Sequence, residues 1–369
     1  MSSLQLIREQ KRALVRPYIQ GSNAASWLEI VTTVVPLGLL WWAAVVSLSV
    51  SLWLTLVIVL LLSLLMTRAL VLMHECGHGS LFRSQKLNRI FGFMFGVLAG
   101  MPQFVWSEHH NYHHANNGNW EKYRGPLATA SVEEYAAMSR GGQRRYRMAR
   151  SIVLAPLGGF AYLTFNPRFN WLKGSIGLLI HVVRSKIAAP AVSMKEHAAG
   201  FKTCLWTSAR QYRHMSWNNV ALLCAWAAMC WLVGAGTFFA IYLISVSFAG
   251  GVGIALFTVQ HNFEHSYASE SAHWDYDRGA IEGTSFLILP RWLNWFTANI
   301  AYHHIHHLSS RIPNYRLAAC HNENQQLFHD VTRVKLSEIP RSLKCILWDT
   351  RAQRIISVAE YQRQIAPLH

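Results

Sequence analysis

The chain has 369 residues, is 52% hydrophobic and only 14% charged, and carries a formal net charge of +16. A soluble domain has about 25% charged residues, so the composition excludes an ordinary soluble protein and points to a membrane one. All 34 Lys and Arg lie outside two blocks, residues 27–67 and 217–276, so the positive charge reads as membrane topology and not as a nucleic-acid surface.

Residues 1–26 are polar and contain Arg8, Lys11, Arg12 and Arg16. They are expected as a cytosolic segment and not as a cleaved signal, because the apolar block that follows is far too long for one. Within residues 27–73 the stretch 27–67 holds Glu29 as its only charge. At 1.5 Å per residue that is roughly 60 Å of helix, or two crossings. A first helical hairpin is predicted, turning at Ser47–Ser51 and emerging at His74. Residues 90–106 are apolar but short and are broken by Gly92, Gly96, Gly100 and Pro102. A full crossing would put His78 and His109 on opposite sides, so this piece is expected to dip in and return or to lie in the interface. The polar, basic region up to residue 216 contains two short apolar pieces, 152–165 and 176–183, and is expected as a cytosolic cap with amphipathic surface helices. Residues 217–260 predict a second hairpin, turning at Gly234-Ala235-Gly236. Residues 261–369 complete a single all-α membrane domain with a cytosolic region and a basic tail. Both hairpins return to the side they start from, which places every histidine cluster and both termini on the cytosolic side. The six cysteines contain no CxxC pair and no disulfide spacing.

The histidines fall into clusters. His74 and His78 stand at i, i+4. His110, His113 and His114 stand at i, i+3, i+4, and His303, His306 and His307 repeat that spacing. On a helix such residues share one face. His261 follows the second apolar block directly and ranks before His265. Imidazole is the commonest metal ligand. Nine are too many for one ion and suit two, each with an open position. With few carboxylates nearby, the nitrogen-dominated set suits a redox metal. His109 and His304 break the spacing and are read as supporting or surface residues, and His181, His197, His214, His273, His321, His329 and His369 as isolated ones. Ligand imidazoles need a partner for the distal N–H. Glu75, Glu108, Glu264, Asn116 and Asn299 are the candidates. The many Trp and Phe fit interfacial anchoring better than the lining of a lipid tunnel, residue by residue.

The pattern H-x3-H, H-x2-H-H, H-x2-H-H resembles the membrane fatty-acid desaturases. His74-Glu-Cys-Gly-His78, His110-Asn-Tyr-His-His114 with Asn116-Asn-Gly, and His303-His-Ile-His-His307 with Leu308-Ser-Ser-Arg-Ile-Pro-Asn-Tyr315 are similar to the boxes of the omega-6 (delta-12-type) acyl-lipid desaturases, bacterial members above all. The stretches Trp274-Asp-Tyr276 and Glu282-Gly-Thr-Ser-Phe286 add to the likeness. Departures are the extra His109 and the His261/His265 pair. No His-Pro-Gly-Gly haem motif is present. The resemblance implies two non-haem iron ions that activate O2 and a cis double bond placed in a fatty acyl lipid. It also implies two electrons from an external donor, an acidic ferredoxin or a b-type cytochrome, and a place in the bacterial inner membrane.

Two other functions compete. A hydroxylase or ketolase acting on carotenoid, sterol or alkane would use the same ligands. A metal transporter or store would need ionisable groups near the bilayer midplane, and the apolar blocks offer almost none.

Overall fold

The computed structural model describes residues 3–125 and 127–365. Met1 and His369, the termini whose side of the membrane is expected above, lie outside the described residues.

Helix α1 (Ser3–Val15) is amphipathic, and its Ile7 and Leu14 pack with Ile305, Leu308 and Ile312. The N-terminal segment therefore lies against the last histidine cluster. Helices α2 (Asn23–Ser47) and α3 (Leu52–His78) form the first hairpin, each started by a serine cap, Ser22 and Ser51. Their turn falls where the small polar residues predict it, and Ser47 Oγ lies 2.8 Å from Thr55 Oγ1 across it. The hairpin buries a charge pair. Arg68 is 1% exposed, pairs with Glu29, donates from Nε to Thr33 Oγ1 at 2.9 Å, and reaches the Trp295 carbonyl. A guanidinium left here without Glu29 would cost several kcal/mol. Gly79, at φ +70, ends α3 in the left-handed conformation that glycine adopts freely.

Helices α4 (Gln85–Ala99) and α5 (Gln103–Asn116) meet at 101° across Gly100-Met101-Pro102. The apolar piece therefore bends sharply at its middle instead of running on as one straight helix. The two short apolar pieces of the middle region belong to one long helix, α6 (Ile152–Ala188), which contains a π-helical stretch at Ala161–Phe165. The polar residues between them, Asn166 to Ser175, interrupt the hydropathy but not the backbone hydrogen bonding.

Helices α7 (Ala209–Val233) and α8 (Ala235–His261) form the second hairpin, turning at Gly234 with φ +83. Helix α7 begins before the apolar block and keeps its polar first turns outside it. Helix α6 crosses α8 at a glycine contact: a Cβ on Gly159 would sit 2.4 Å from the Gly250 carbonyl carbon, so only glycine allows this approach. By length and composition α2, α3, α7 and α8 can each cross a membrane. The chain is mostly helical, as composition predicts, and two small sheets add to it. Strands Ala130–Ser131, Cys345–Asp349 and Arg354–Ser357 form one. Phe286–Ile288, too short to cross, pairs in parallel with Arg333–Lys335 in the other. Helix α9 (His303–Leu308) follows, then α10 (Asn314–Glu323).

Candidate metal centre

Four helix segments deliver nine imidazoles to one place. His74 and His78 occupy the last turn and a half of α3, His110, His113 and His114 the end of α5, His261 the last position of α8, and His303, His306 and His307 lie on α9. The ring nitrogens gather into two groups, each with its ligand atoms within 4.8 Å of one another. His74, His78, His110, His114 and His306 form the first, and His113, His261, His303 and His307 the second.

The grouping cuts through the boxes. Residues i and i+4 lie about 40° apart around a helix, whereas i+3 and i+4 lie about 100° apart. His110 and His114 therefore aim at the first focus while His113 aims at the second. On α9 the order is reversed: His303 and His307 aim at the second focus and His306 at the first. The single face expected for each triplet is in fact two adjoining faces.

The nitrogens face one another closely. Nε2–Nε2 distances are 3.0 Å for His110–His114, 3.0 Å for His114–His306, 3.3 Å for His74–His78, 3.2 Å for His113–His307 and 2.9 Å for His261–His303. A neutral imidazole has one N–H. His74 Nδ1 lies 3.1 Å from Glu75 Oε1 and His261 Nδ1 lies 3.2 Å from the Gly283 carbonyl. Both partners accept only, so both rings carry their proton outward and present a bare Nε2 inward. Converging lone pairs fit a cation at each focus. Two nitrogens held about 2.1 Å from one ion at a right angle would lie about 3.0 Å apart. Burial above all, and then the neighbouring imidazoles, hold His303, His306 and His307 well below the usual histidine range. They are neutral at pH 7, the form that binds metal.

Glu75 is fully buried and joins the boxes. Its Oε1 also lies 3.9 Å from His306 Nδ1, while its Oε2 accepts from Ser80 Oγ at 2.9 Å and from the Asn314 N–H at 3.1 Å. Gly77 lets α3 and α5 touch, since a Cβ there would meet Ser107 Oγ at 2.3 Å.

The other candidates fall outside. Asn116 donates to the Tyr112 carbonyl at 2.9 Å, because its side chain folds back along its own helix and away from the rings. Glu264 pairs with Arg341 and Glu108 with Gln211, both beyond the centre. Asn299 reaches the Asn314 carbonyl at 3.2 Å and so touches the Glu75 support from behind. His265 is exposed, at φ +68, because α8 has already ended at His261 and the chain turns outward. His109 is exposed, and His304 is buried against His321, Nε2 to Nδ1 2.9 Å. Two residues escaped the sequence reading. Asn314 anchors Glu75, and Asn117 donates to the Gly283 carbonyl at 3.2 Å, the same oxygen that His261 meets. Asn117 stands four residues after His113, but α5 ends at Asn116 and Asn117 is extended, and Asn314 lies beyond the end of α9, so helical periodicity does not say where either points.

An apolar cavity of about 310 Å³ adjoins the rings, walled by His74, His110, His113 and His303 on one side and by Leu70, Leu163, Ile254 and Phe257 among others. Trp106 stacks on His110 with ring centres 4.6 Å apart, and Phe257 lies edge-on to His113 at 5.0 Å.

The family model described as fatty acid desaturase matches residues 51–336. A fatty acid desaturase of Bacillus subtilis (strain 168) is 31% identical over 95% of this chain and 90% of its own length. An sn-1 oleoyl-lipid 12-desaturase of Anabaena variabilis is 21% identical over 86% of this chain and 81% of its own length. An endoplasmic-reticulum omega-3 fatty acid desaturase of Vigna radiata is 27% identical over 67% of this chain and 58% of its own length.

Proposed function

This chain belongs to the fatty acid desaturase family and is an oxidoreductase, and from that premise we propose that it places a cis double bond in a membrane acyl lipid at the delta-12 (omega-6-type) position. Two iron ions would be held by His74, His78, His110, His114 and His306, and by His113, His261, His303 and His307. Five nitrogens at one focus exceed the four that zinc prefers in structural sites, which favours a six-coordinate redox metal. Irons so held would supply the O2-derived oxidant that cleaves an unactivated C–H bond.

The chain's own residues have three tasks. The imidazoles stay neutral and fixed, through Glu75 at the first focus and the Gly283 carbonyl at the second. The apolar walls exclude water. The cavity's shape selects one methylene pair, since a methylene offers nothing to hydrogen-bond. In balance, two protons and two electrons leave the acyl chain as its two hydrogens, two electrons and two protons arrive from outside, and O2 becomes two waters. A ferredoxin or b-type cytochrome on a cytosolic, basic face would be the donor, with the protein in a bacterial inner membrane. The observation that carries this reading is the apolar cavity lying directly against histidines of both groups.

Expression in a bacterial host that makes no polyunsaturated lipid tests it, with double-bond position read by mass spectrometry. A diunsaturated chain with its new bond at carbon 12 is expected. A different position overturns the regiochemistry, and an oxygenated product overturns desaturation in favour of hydroxylation. Iron at two per chain is expected in the purified protein, and zinc in active protein overturns the metal assignment.

A further inference from the structure

A second cavity, of about 340 Å³, shares Tyr162, Ile254 and Phe257 with the one beside the histidines. The two therefore adjoin at those three residues. The second cavity differs in chemistry. Arg150, Ser151, Asn166, Thr258 and Asn262 line it together with apolar residues. Thr258 is 5% exposed and its Oγ1 has no hydrogen-bond partner among the described residues. A buried hydroxyl without a partner is destabilising, so the site suits a group that accepts from it. Arg150 is held by neutral atoms: Nη1 donates to the Tyr146 carbonyl at 3.2 Å, Nη2 to the Ala128 carbonyl at 3.1 Å and to the Leu127 carbonyl, and the guanidinium lies 3.6 Å from the Tyr146 ring centre. These contacts place its charge but do not neutralise it. Residues 140–150 hold five arginines and no acid, and none of the five forms an ion pair among the described residues.

The rim carries exposed Ile152 and Leu154, and the same helix goes on to expose Val153, Leu157 and Phe165. Basic residues followed at once by an exposed apolar face are the pattern of a membrane interface with anionic headgroups. Thr258 lies three residues before His261, hence about 4.5 Å along α8 from the metal-binding end. The cavity thus lies toward the histidine end of α8. The partition is also unusual. Tyr162 belongs to the π-helical stretch Ala161–Phe165, and both it and Leu163 line the inner cavity. Such stretches are rare and often mark functional sites.

We propose that the outer cavity holds the ester end of a membrane phospholipid, whose acyl chain passes Tyr162, Ile254 and Phe257 to reach the histidines. Thr258 and Ser151 donate to the ester oxygens, and the arginines of residues 140–150 meet the phosphate. The proposal rests on the desaturase reading and names its substrate as a lipid drawn sideways from the bilayer, not a soluble thioester.

The test needs no turnover. Purified protein in vesicles of phosphatidylethanolamine and phosphatidylglycerol is illuminated with phosphatidylglycerol carrying a diazirine close to its acyl ester, and labelled peptides are mapped. Adducts are expected within residues 149–162 and 254–262, competed by unlabelled phosphatidylglycerol and not by acyl-coenzyme A. A Cβ on Gly158 would meet only Ile254 Cδ1, at an ordinary 3.5 Å, and Gly158 lines the outer cavity, so Gly158→Leu is chosen to reduce that cavity. It is expected to cut labelling at least about fivefold with the two-metal content unchanged, and the isosteric Thr258→Val to cut it about threefold, roughly the loss of one modest hydrogen bond. Labelling spread over the outer faces of α2 and α7, competition by the thioester, or full labelling of both variants would overturn the proposal. An enzyme that hydroxylates or desaturates elsewhere would still label, so failure of the reaction assignment is read separately.

Discussion

The Glu75 carboxylate accepts the backbone N–H of Asn314 at 3.1 Å, across 239 residues of sequence. One acid thereby ties the end of α3 to the start of α10, and it faces His74 on α3 and His306 on α9. Imidazole orientation at the first focus is set by this contact and not by either helix alone.

Glu75→Gln keeps the shape but offers His74 a weaker acceptor and can turn an N–H toward Asn314. Loss of such a supporting group costs about 10–100-fold in metal affinity or activity. Metal content of the purified variant should fall at the five-histidine focus first, read as metal per chain against turnover. Wild-type metal content and rate in the variant would show that Glu75 only fills space.

His306→Ala and His265→Ala separate the centre from its surroundings. His306 is buried and its Nε2 lies 3.0 Å from that of His114, whereas His265 is exposed. The first variant should lose turnover while still inserting into the membrane, and the second should stay within about twofold of wild type, since an exposed surface change is usually small. A dead His265→Ala with an active His306→Ala would reverse the ligand assignment.

Gly77→Ala should destabilise through a clash, because its Cβ would meet Ser107 Oγ at 2.3 Å and Ser107 Cβ at 3.2 Å. Overpacking of this kind costs about 1–3 kcal/mol. Ser107→Ala removes the nearer atom, so the double variant should recover part of the lost melting temperature and metal content. Additive losses would place the strain elsewhere.

Stability of the metal-stripped protein should depend on pH in one direction. Burial first, then Arg333, pushes His321 down to about 4, and burial holds His303, His304, His306 and His307 well below the ordinary range. The unfolded chain binds protons near pH 6.5, and the folded one refuses them until lower pH. Stability is therefore full above about pH 6.5 and falls as pH drops toward 4. The melting temperature of stripped protein in detergent, scanned from pH 8 to 4, checks this. Reloaded with metal at roughly a thousand times its dissociation constant, the protein should gain about 4 kcal/mol for each of the two foci filled and lose it again as protons compete for the same nitrogens.

Much was legible in the residues themselves. Lengths of charge-free sequence mark α2, α3, α7 and α8, because a bilayer demands about twenty apolar residues per crossing and tolerates few ions. Gly100 and Pro102 mark the bend between α4 and α5, because neither continues a helix well. The histidine spacings single out eight of the nine rings that the fold gathers, and the end of the second apolar block marks the ninth, His261, since period decides which side chains can point together. What the spacing leaves open is the allocation: that His113 leaves its neighbours for His261, His303 and His307, and that His306 joins the α3 and α5 rings, depends on the angles at which four helices meet. Local order is written along the chain because it arises between residues three or four apart. The two foci, the Glu75–Asn314 tie and the paired cavities arise between segments separated by up to 239 residues. There only packing, through contacts such as Gly77 on Ser107 and Gly159 on Gly250, fixes which atoms meet.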